Sequence, residues 1–326
     1  MFFSTVASLI IFFTLFNFSF TNNFLGLGEI SLRAPEAARG QILNIAEDVK
    51  NIMRSRNQLP ANDNKPAGPV KLEGAENFEL GSASGVIMDV ESLKPLFEKN
   101  ADESRPIASI TKLMTAFVFL EYNPGWESIY QIKSGDKREG GKAYLFTGEK
   151  IKIKDLFYSS LVASDNVATA ALVGSTGMKE EEFVQKMADK AQELGLNNTI
   201  FKDSIGLDNG NVSTAREVAK IAEIALANKD INEATLTKRY EFSTLEGRKK
   251  VIYNTDSLLD LFPQNGIKIL GGKTGFTEAA GYCFAGKFID HQNREVISVV
   301  LGNSGNDQRF RETHDLVNWA YKSYQW

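Results

Sequence analysis

The sequence predicts an α+β domain in which strands near both ends join one sheet and helices fill the middle. Three observations predict it. Residues 82–90 (SASGVIMDV) and 93–100 (LKPLFEKN) read as a strand and its hairpin partner. Residues 281–290 (GYCFAGKFID) and 294–303 (REVISVVLGN) read as two more strands. Between the two pairs helical periodicity dominates. The 326 residues, 43% apolar and 24% charged, suit globular packing and are enough for one large domain or two small ones.

In chain order, the first 28 residues carry no ionisable side chain, and Val6 to Phe20 is largely apolar. Such a run is a secretory signal or a single membrane anchor. No Lys or Arg precedes it, and TNNFLGLGE after it lacks a small-x-small cleavage site. The expectation is therefore an uncleaved anchor over 1–28 with the rest of the chain outside the cytoplasm; secretion after signal cleavage is the alternative. Residues 29–77 read as a linker, with Pro35, Pro60, Pro66 and Pro69 and the turn-rich stretch PANDNKPAGP. Within it Ile42, Ile45, Ala46, Val49, Ile52 and Met53 recur at helical spacing. That short amphipathic helix would lie on the membrane, pair with a copy of itself or pack on the main domain.

The main domain is expected over 78–326. After the first hairpin, Ser109 to Tyr122 reads as a helix with an apolar stripe through Ile110, Leu113, Met114, Phe117 and Leu120. A Gly-rich hairpin (SGDKREGGKAYLFTGEKIKI) follows, then helical stretches from Lys154 to about Leu196 and from Ser213 to Ala227. After the two late strands the domain closes with a helix through Glu312–Lys322.

Composition removes several function classes. Lys and Arg number 37 against 41 Asp and Glu, a formal net charge of −4, whereas a nucleic-acid binder shows a basic surplus. The single cysteine, Cys283, excludes an intrachain disulfide and a Cys-clustered zinc site, and inside an apolar strand it reads as core. The histidines, His291 and His314, have no HExxH or similar spacing and read as surface or packing residues. No metal site is expected.

Three short elements carry the chemistry: Ser109-Ile110-Thr111-Lys112 after Pro106, Ser164-Asp165-Asn166 between helices, and Lys273-Thr274-Gly275 on a strand. A serine hydroxyl needs a base to take its proton, and with no plausible histidine a lysine three residues on is the candidate. At i and i+3 the two side chains share one helical face. Ser109 at a helix N-terminus also sits among outward-pointing backbone N–H groups that suit an oxyanion. Lys112 works as a base only when neutral, and burial or a second cation pushes it that way; Lys273 is the candidate second cation. Ser164 would then pass a proton toward the leaving amine, and Asn166 would hold a substrate amide. Lys273 and Thr274 suit a substrate carboxylate. Gly275 lets the strand approach the ligand, and the Phe276 N–H is a candidate second oxyanion donor. The mechanism requires no cofactor.

Singly these motifs are weak. Ser134-Gly135-Asp136-Lys137 is another S-x-x-K and Ser304-Gly305-Asn306 another S-x-N, yet only the set at 109, 164 and 273 has the order helix start, inter-helix loop, strand. That ordered set resembles the signature of penicillin-binding proteins and class A β-lactamases. The flanks RPIASITKLMTA, GEKIKIKDLFYSSLVASDNVATAAL, KAQELGLNNTIF, SIGLDNGNVSTAREVAKIA and GGKTGFTEAAGYC are similar to the serine D-Ala-D-Ala carboxypeptidase family, over roughly residues 78 to 322. The resemblance implies a β-lactamase/DD-peptidase-like fold: a five-stranded antiparallel sheet flanked by helices, with a mostly helical subdomain holding Ser164. It also implies acylation of Ser109 by peptidoglycan stem peptides ending in D-Ala-D-Ala and by β-lactam antibiotics.

Two departures stand out. Met187-Ala188 replaces the family's usual Met-Asn, a change expected to loosen local hydrogen bonding. Many relatives also continue into a β-rich domain and a C-terminal amphipathic helix; here the sequence given stops at Trp326, so membrane attachment would fall to the N-terminal segment. The reading is a carboxypeptidase that removes the terminal D-alanine. Its rivals are an endopeptidase cutting D-alanyl cross-links, a β-lactamase, and a non-catalytic penicillin-binding sensor. Glu193-Leu194-Gly195-Leu196-Asn197 matches the E-x-x-L-N of the β-lactamases, but it follows Asn166 closely and also fits a helix-ending turn of the carboxypeptidases.

Overall fold

The computed structural model describes residues 68–138 and 140–326. The expected anchor or signal at 1–28 and the amphipathic stretch at 42–53 lie outside the described residues.

The chain runs β1 (Val70–Lys71), β2 (Ser84–Asp89), β3 (Pro95–Lys99) and β4 (Arg105–Pro106), then a 3₁₀ turn (Ala108–Ile110) that continues into α1 (Thr111–Glu121). Next come β5 (Ile129–Gln131), β6 (Lys150–Lys152), α2 (Ile153–Val162), α3 (Asn166–Ser175) and α4 (Glu180–Glu193). They lead to β7 (Val212–Ser213), α5 (Ala215–Ala227), α6 (Lys229–Leu236), β8 (Arg239–Ser243), β9 (Lys249–Tyr253) and α7 (Leu258–Leu261). The last elements are β10 (Lys268–Thr277), β11 (Gly281–Ile289), β12 (Glu295–Asn303), α8 (Asn306–Ser323) and β13 (Tyr324–Gln325).

The main sheet has five antiparallel strands in the order β10-β11-β12-β2-β3. It joins the two ends of the domain as expected: Val86 of β2 faces Val299 of β12. Strand β12 is central and buried on both faces, which is why its sequence is a continuous apolar run rather than an alternating one. On β11 the period of two is plain. Cys283 and Ala285 join the core shared with α1 to α5, whereas Phe284 and Phe288 join a second core with Phe310, Leu316 and Val317 of α8. The sheet therefore lies between α5 on one face and α8 on the other.

Local chemistry sets the helix starts. The Thr214 hydroxyl accepts the Glu217 N–H at 3.1 Å and opens α5, and the Asp165 carboxylate accepts the Ala168 N–H at 2.9 Å and opens α3. In α4 the buried residues Phe183, Met187 and Ala191 recur every four positions, which docks an otherwise polar helix.

Several expectations shift. Ser109 lies in the 3₁₀ turn ahead of α1 rather than in the α-helix itself, because Ala108 adopts a left-handed φ of 47° that a regular helix cannot continue through. The Gly-rich hairpin reduces to the pairing of β5 with β6, with a 3₁₀ turn at Ser134–Asp136 after β5. Helix α8 starts at Asn306, ahead of the expected Glu312. In the stretch read as linker, Val70 pairs with Gln325, and the Trp319 indole donates to the Glu76 carbonyl at 2.8 Å. The β8–β9 hairpin, α6 and α7 are short elements that the sequence reading did not expect. Among the described residues no helix is long and apolar enough to cross a membrane.

The Phe284 ring occupies a slot made by two facing glycines. A Cβ on Gly272 would lie 2.6 Å from its Cζ, and one on Gly286 would lie 2.7 Å from its Cε1. Phe284→Ala empties that slot and is expected to lower the unfolding free energy by about 3–5 kcal/mol, read as a shifted denaturant midpoint at unchanged slope.

Candidate active site

The turn that carries Ser109 is gripped from two sides. Ile107 donates its N–H to the Asn211 carbonyl at 3.0 Å, which leads the chain into the turn. A Cβ on Gly206 would fall 2.0 Å from the Ala108 carbonyl oxygen, and one on Gly275 would fall 2.7 Å from the Ile107 oxygen and 3.2 Å from the Ser109 nitrogen. Only hydrogens fit at both places, so the loop around Gly206 and strand β10 close directly onto the backbone of Ser109.

Lys112 is 0% exposed at the start of α1. Its Nζ lies 2.8 Å from Ser109 Oγ, 2.9 Å from Asn166 Oδ1 and 2.9 Å from the Ile205 carbonyl oxygen. The Asn166 amide is oriented by its other end, since Nδ2 donates to the Gly140 carbonyl at 3.0 Å. Asn166 Oδ1 and the Ile205 oxygen can only accept. A neutral amine has two N–H donors and one lone pair, so with both donors committed the lone pair is left for the hydroxyl proton of Ser109. Burial favours this form, bringing the ammonium down to about 7, against the opposing charges of Asp203 and Asp165.

Ser164 sits between α2 and α3 at a left-handed φ of 55°. The Lys273 Nζ donates to Ser164 Oγ at 2.9 Å and to the Thr274 carbonyl at 3.0 Å. Lys273 is 1% exposed, and burial first, then the nearby charges of Lys112 and Arg309, hold its amine well below the ordinary lysine range. The sequence reading made Lys273 the cation that depresses Lys112. The structure corrects this: burial is the leading cause at Lys112, and the repulsion between the amines weighs on Lys273.

The Thr274 hydroxyl lies 2.6 Å from that of Thr255. Arg309, buried on α8, donates to the carbonyls of Gly275 at 3.0 Å and Cys283 at 3.2 Å, which fixes the end of β10 from behind. The Phe276 ring is 49% exposed and stacks on Tyr282, with centroids 4.2 Å apart. Strand β10 is an edge of the sheet.

The fold thus joins Ser109, Lys112 and Asn166 in one set of contacts and Ser164, Lys273 and Thr274 in another, with Gly275 against the Ser109 backbone. Glu193 is outside both: it is exposed at the end of α4 and paired with Lys190. Ser134 and Lys137 are exposed, as are Ser304 and Asn306. Cys283 is core, its thiol pushed up to about 11 by burial. His291 is exposed, and His314 bonds Gln264 and Asp315 on α8. Among the described residues no group of three or more His, Cys, Asp or Glu could hold a metal ion.

Sequence reasoning missed the carbonyls of Ile205 and Gly140, which act through backbone and leave no side-chain signature. It also missed Thr255 and the buried Asp256, whose carboxyl is raised to about 7 by burial. The only sequence signal near Ile205 is the turn-rich run DSIGLDNGN, which marks an ordered loop without saying what it holds.

Two buried lysines, each within hydrogen-bond reach of a serine hydroxyl, belong to the class of serine enzymes that activate their nucleophile with an uncharged amine instead of a histidine. Within that class the chain belongs to the D-alanyl-D-alanine carboxypeptidase family, peptidase family S11, whose model matches residues 71–305. It is similar to D-alanyl-D-alanine carboxypeptidase DacF of Bacillus subtilis, 31% identical over 273 residues that cover 80% of this chain and 68% of the relative. It is also similar to a D-alanyl-D-alanine endopeptidase of Escherichia coli, 32% identical over 249 residues covering 75% of this chain and 79% of the relative. In fold it matches the crystal structure of the Streptomyces K15 DD-transpeptidase with a TM-score of 0.70 at 27% identity, over 76% of this chain and 99% of that one.

Because Gly206 touches the Ser109 turn directly, Gly206→Ala must displace it. The expected result is an acylation rate by fluorescent penicillin about 10²-fold lower, with the far-ultraviolet circular dichroism spectrum retained.

Proposed function

We propose that this protein is a serine D-Ala-D-Ala carboxypeptidase that removes the terminal D-alanine from peptidoglycan stem peptides through an acyl-enzyme on Ser109. The observation that carries the reading is the buried Lys112 amine, 2.8 Å from Ser109 Oγ, with its two other neighbours able only to accept.

Ser109 Oγ attacks the carbonyl carbon of the penultimate D-alanine while its proton passes to Lys112 Nζ. The carbonyl oxygen, now carrying the charge, takes the backbone N–H groups of Ser109 and Phe276. The C–N bond then breaks. The leaving amine of the terminal D-alanine collects, by way of Ser164, the proton that Lys112 took from Ser109, which returns Lys112 to its neutral form; Lys273 orients Ser164. The free carboxylate of that D-alanine lies against Lys273 and Thr274, and its negative charge favours the protonated form of Lys273 that burial otherwise disfavours. Asn166 serves twice: it takes one N–H of Lys112 and is the residue expected to meet the substrate amide. Water hydrolyses the ester and frees Ser109. A β-lactam presents a similar carbonyl and carboxylate and acylates the same oxygen.

An endopeptidase acting on D-alanyl cross-links is the second reading, favoured by the similarity to the Escherichia coli endopeptidase. Analysis of products from cross-linked and uncross-linked muropeptides separates the two. The exposed Glu193, ion-paired on the outside of α4, supports neither a β-lactamase nor its deacylating water. We also place the catalytic domain outside the cytoplasm, attached to the membrane through residues 1–28, on the strength of their charge-free apolar run.

Ser109→Ala is expected to abolish both fluorescent-penicillin labelling and D-alanine release from a D-Ala-D-Ala peptide; release that persisted would remove Ser109 from the reaction. Lys112→Ala is expected to slow acylation by ~10²–10⁴.

The protonation state of Lys112 gives a further expectation. Below about 7 the amine is charged and has no lone pair; above it the amine is neutral. The acylation rate should therefore rise with pH through about 7 and level off above it, a limb that stopped-flow labelling across pH would reveal and that Lys112→Ala should lack.

A further inference from the structure

We propose that Asp203 is a positioning residue for the reacting pair: its carboxylate shapes the loop that supplies the Ile205 carbonyl to Lys112 and presses Gly206 against the turn of Ser109. This inference rests on the reading of Lys112 as the base.

Residues 203–208 have no regular secondary structure, so their backbone N–H groups need partners from elsewhere. Asp203 supplies them. Its side chain accepts from the N–H groups of Ile205 at 2.8 Å, Gly206, Leu207 at 3.0 Å and Asp208 at 2.6 Å, and from Asn211 Nδ2 at 3.1 Å. One carboxylate thus winds four successive residues around itself, and the Ile205 carbonyl emerges on the side of Lys112.

The wound loop is docked on α1 at the positions flanking Lys112. Asn211, fully buried, donates to Thr111 Oγ1 at 3.2 Å, and Thr115 donates its hydroxyl to the Ser204 carbonyl at 2.5 Å. Thr111 and Thr115 are one helical turn apart, so the loop contacts α1 on both sides of the amine. Glu180 of α4 holds the far side by accepting from the Ser204 N–H at 2.9 Å, and Arg138 pairs with Glu180 at 3.6 Å. The same loop carries Gly206, whose missing side chain lets it lie on Ala108.

Charge acts in the same direction as geometry. The groups that face the amine are Asp203 from this loop, Asp165 from the start of α3 and Lys273 from β10. The two carboxylates favour its charged form, Asp203 more than Asp165, while the repulsion between the amines weighs on Lys273. Without Asp203 the amine would be neutral over a wider pH range but a weaker base.

The test measures acylation of the full chain by fluorescent penicillin from about pH 5 to about pH 10 in wild type, Asp203→Asn, Asp203→Glu and Asp203→Ala. Asp203→Asn removes the charge and one of the two accepting oxygens, so part of the loop's N–H bonding is lost as well; its rising limb is expected at lower pH than the wild-type limb, with the plateau about tenfold lower. Asp203→Ala unwinds the loop and should cost about 10²-fold in plateau rate. Asp203→Glu retains the charge and should keep the limb near its wild-type position. The midpoint is independent of how much of a variant is folded, so it can be read even from a destabilised protein. Slower acylation in Asp203→Asn with an unmoved limb would reduce Asp203 to a scaffold and overturn the inference. A wild-type profile with no limb, or labelling that survives Ser109→Ala, would instead remove the reading of Lys112 beneath it, and the inference with it.

Discussion

The proposed reaction depends on keeping the Lys112 amine uncharged in the interior. An ammonium in a dry environment loses the hydration that stabilises it, so burial alone favours the neutral form. Burial without order would not be enough, because a free amine could turn its lone pair anywhere. Here two acceptors that cannot donate, the Asn166 amide oxygen and the Ile205 carbonyl, take both N–H groups and leave one direction open. Much of the surrounding architecture follows from supplying those two acceptors: α3 and its Asp165 cap hold Asn166, the Gly140 carbonyl sets the amide's orientation, and the loop after α4 presents Ile205.

The second amine shares the same interior but has a different surrounding. Lys273 lies on an edge strand whose Gly275 carbonyl is held from behind by Arg309, and it contacts Ser164 rather than Ser109. Two like charges this deep repel, which adds to burial in lowering the Lys273 amine. A ligand bearing a carboxylate changes that balance.

Much of this could be read from the letters, and the parts that could not share a reason. The sheet was legible because β2, β11 and β12 carry strong apolar patterns, and the three motifs were legible because their order and elements exclude the decoys at Ser134 and Ser304. Side chains do that work, and side chains are what a sequence lists. The missed partners are backbone carbonyls at Gly140 and Ile205, whose placement depends on φ values and on contacts between distant segments. The Ala108 turn was missed for the same reason: nothing about alanine announces a left-handed φ, and Gly206 and Gly275, distant in sequence, leave the room that this turn occupies. Burial and a second cation could both be named for Lys112 from the string, but that burial leads could not, because burial depth is a tertiary property.

The strand order has a bearing on how the molecule comes into being. The centre of the sheet is β12, flanked by β2 from the start of the domain and β11 from near its end. During synthesis the early hairpin emerges with one apolar edge open and waits for almost the whole domain before its neighbour exists. Contacts of such long sequence separation slow folding and lengthen the time that unpaired strands are exposed to aggregation. A nascent chain interrupted before residue 303 therefore has no complete sheet to collapse onto, and ribosome-bound fragments of this protein should be clients of holding chaperones rather than partially active enzymes.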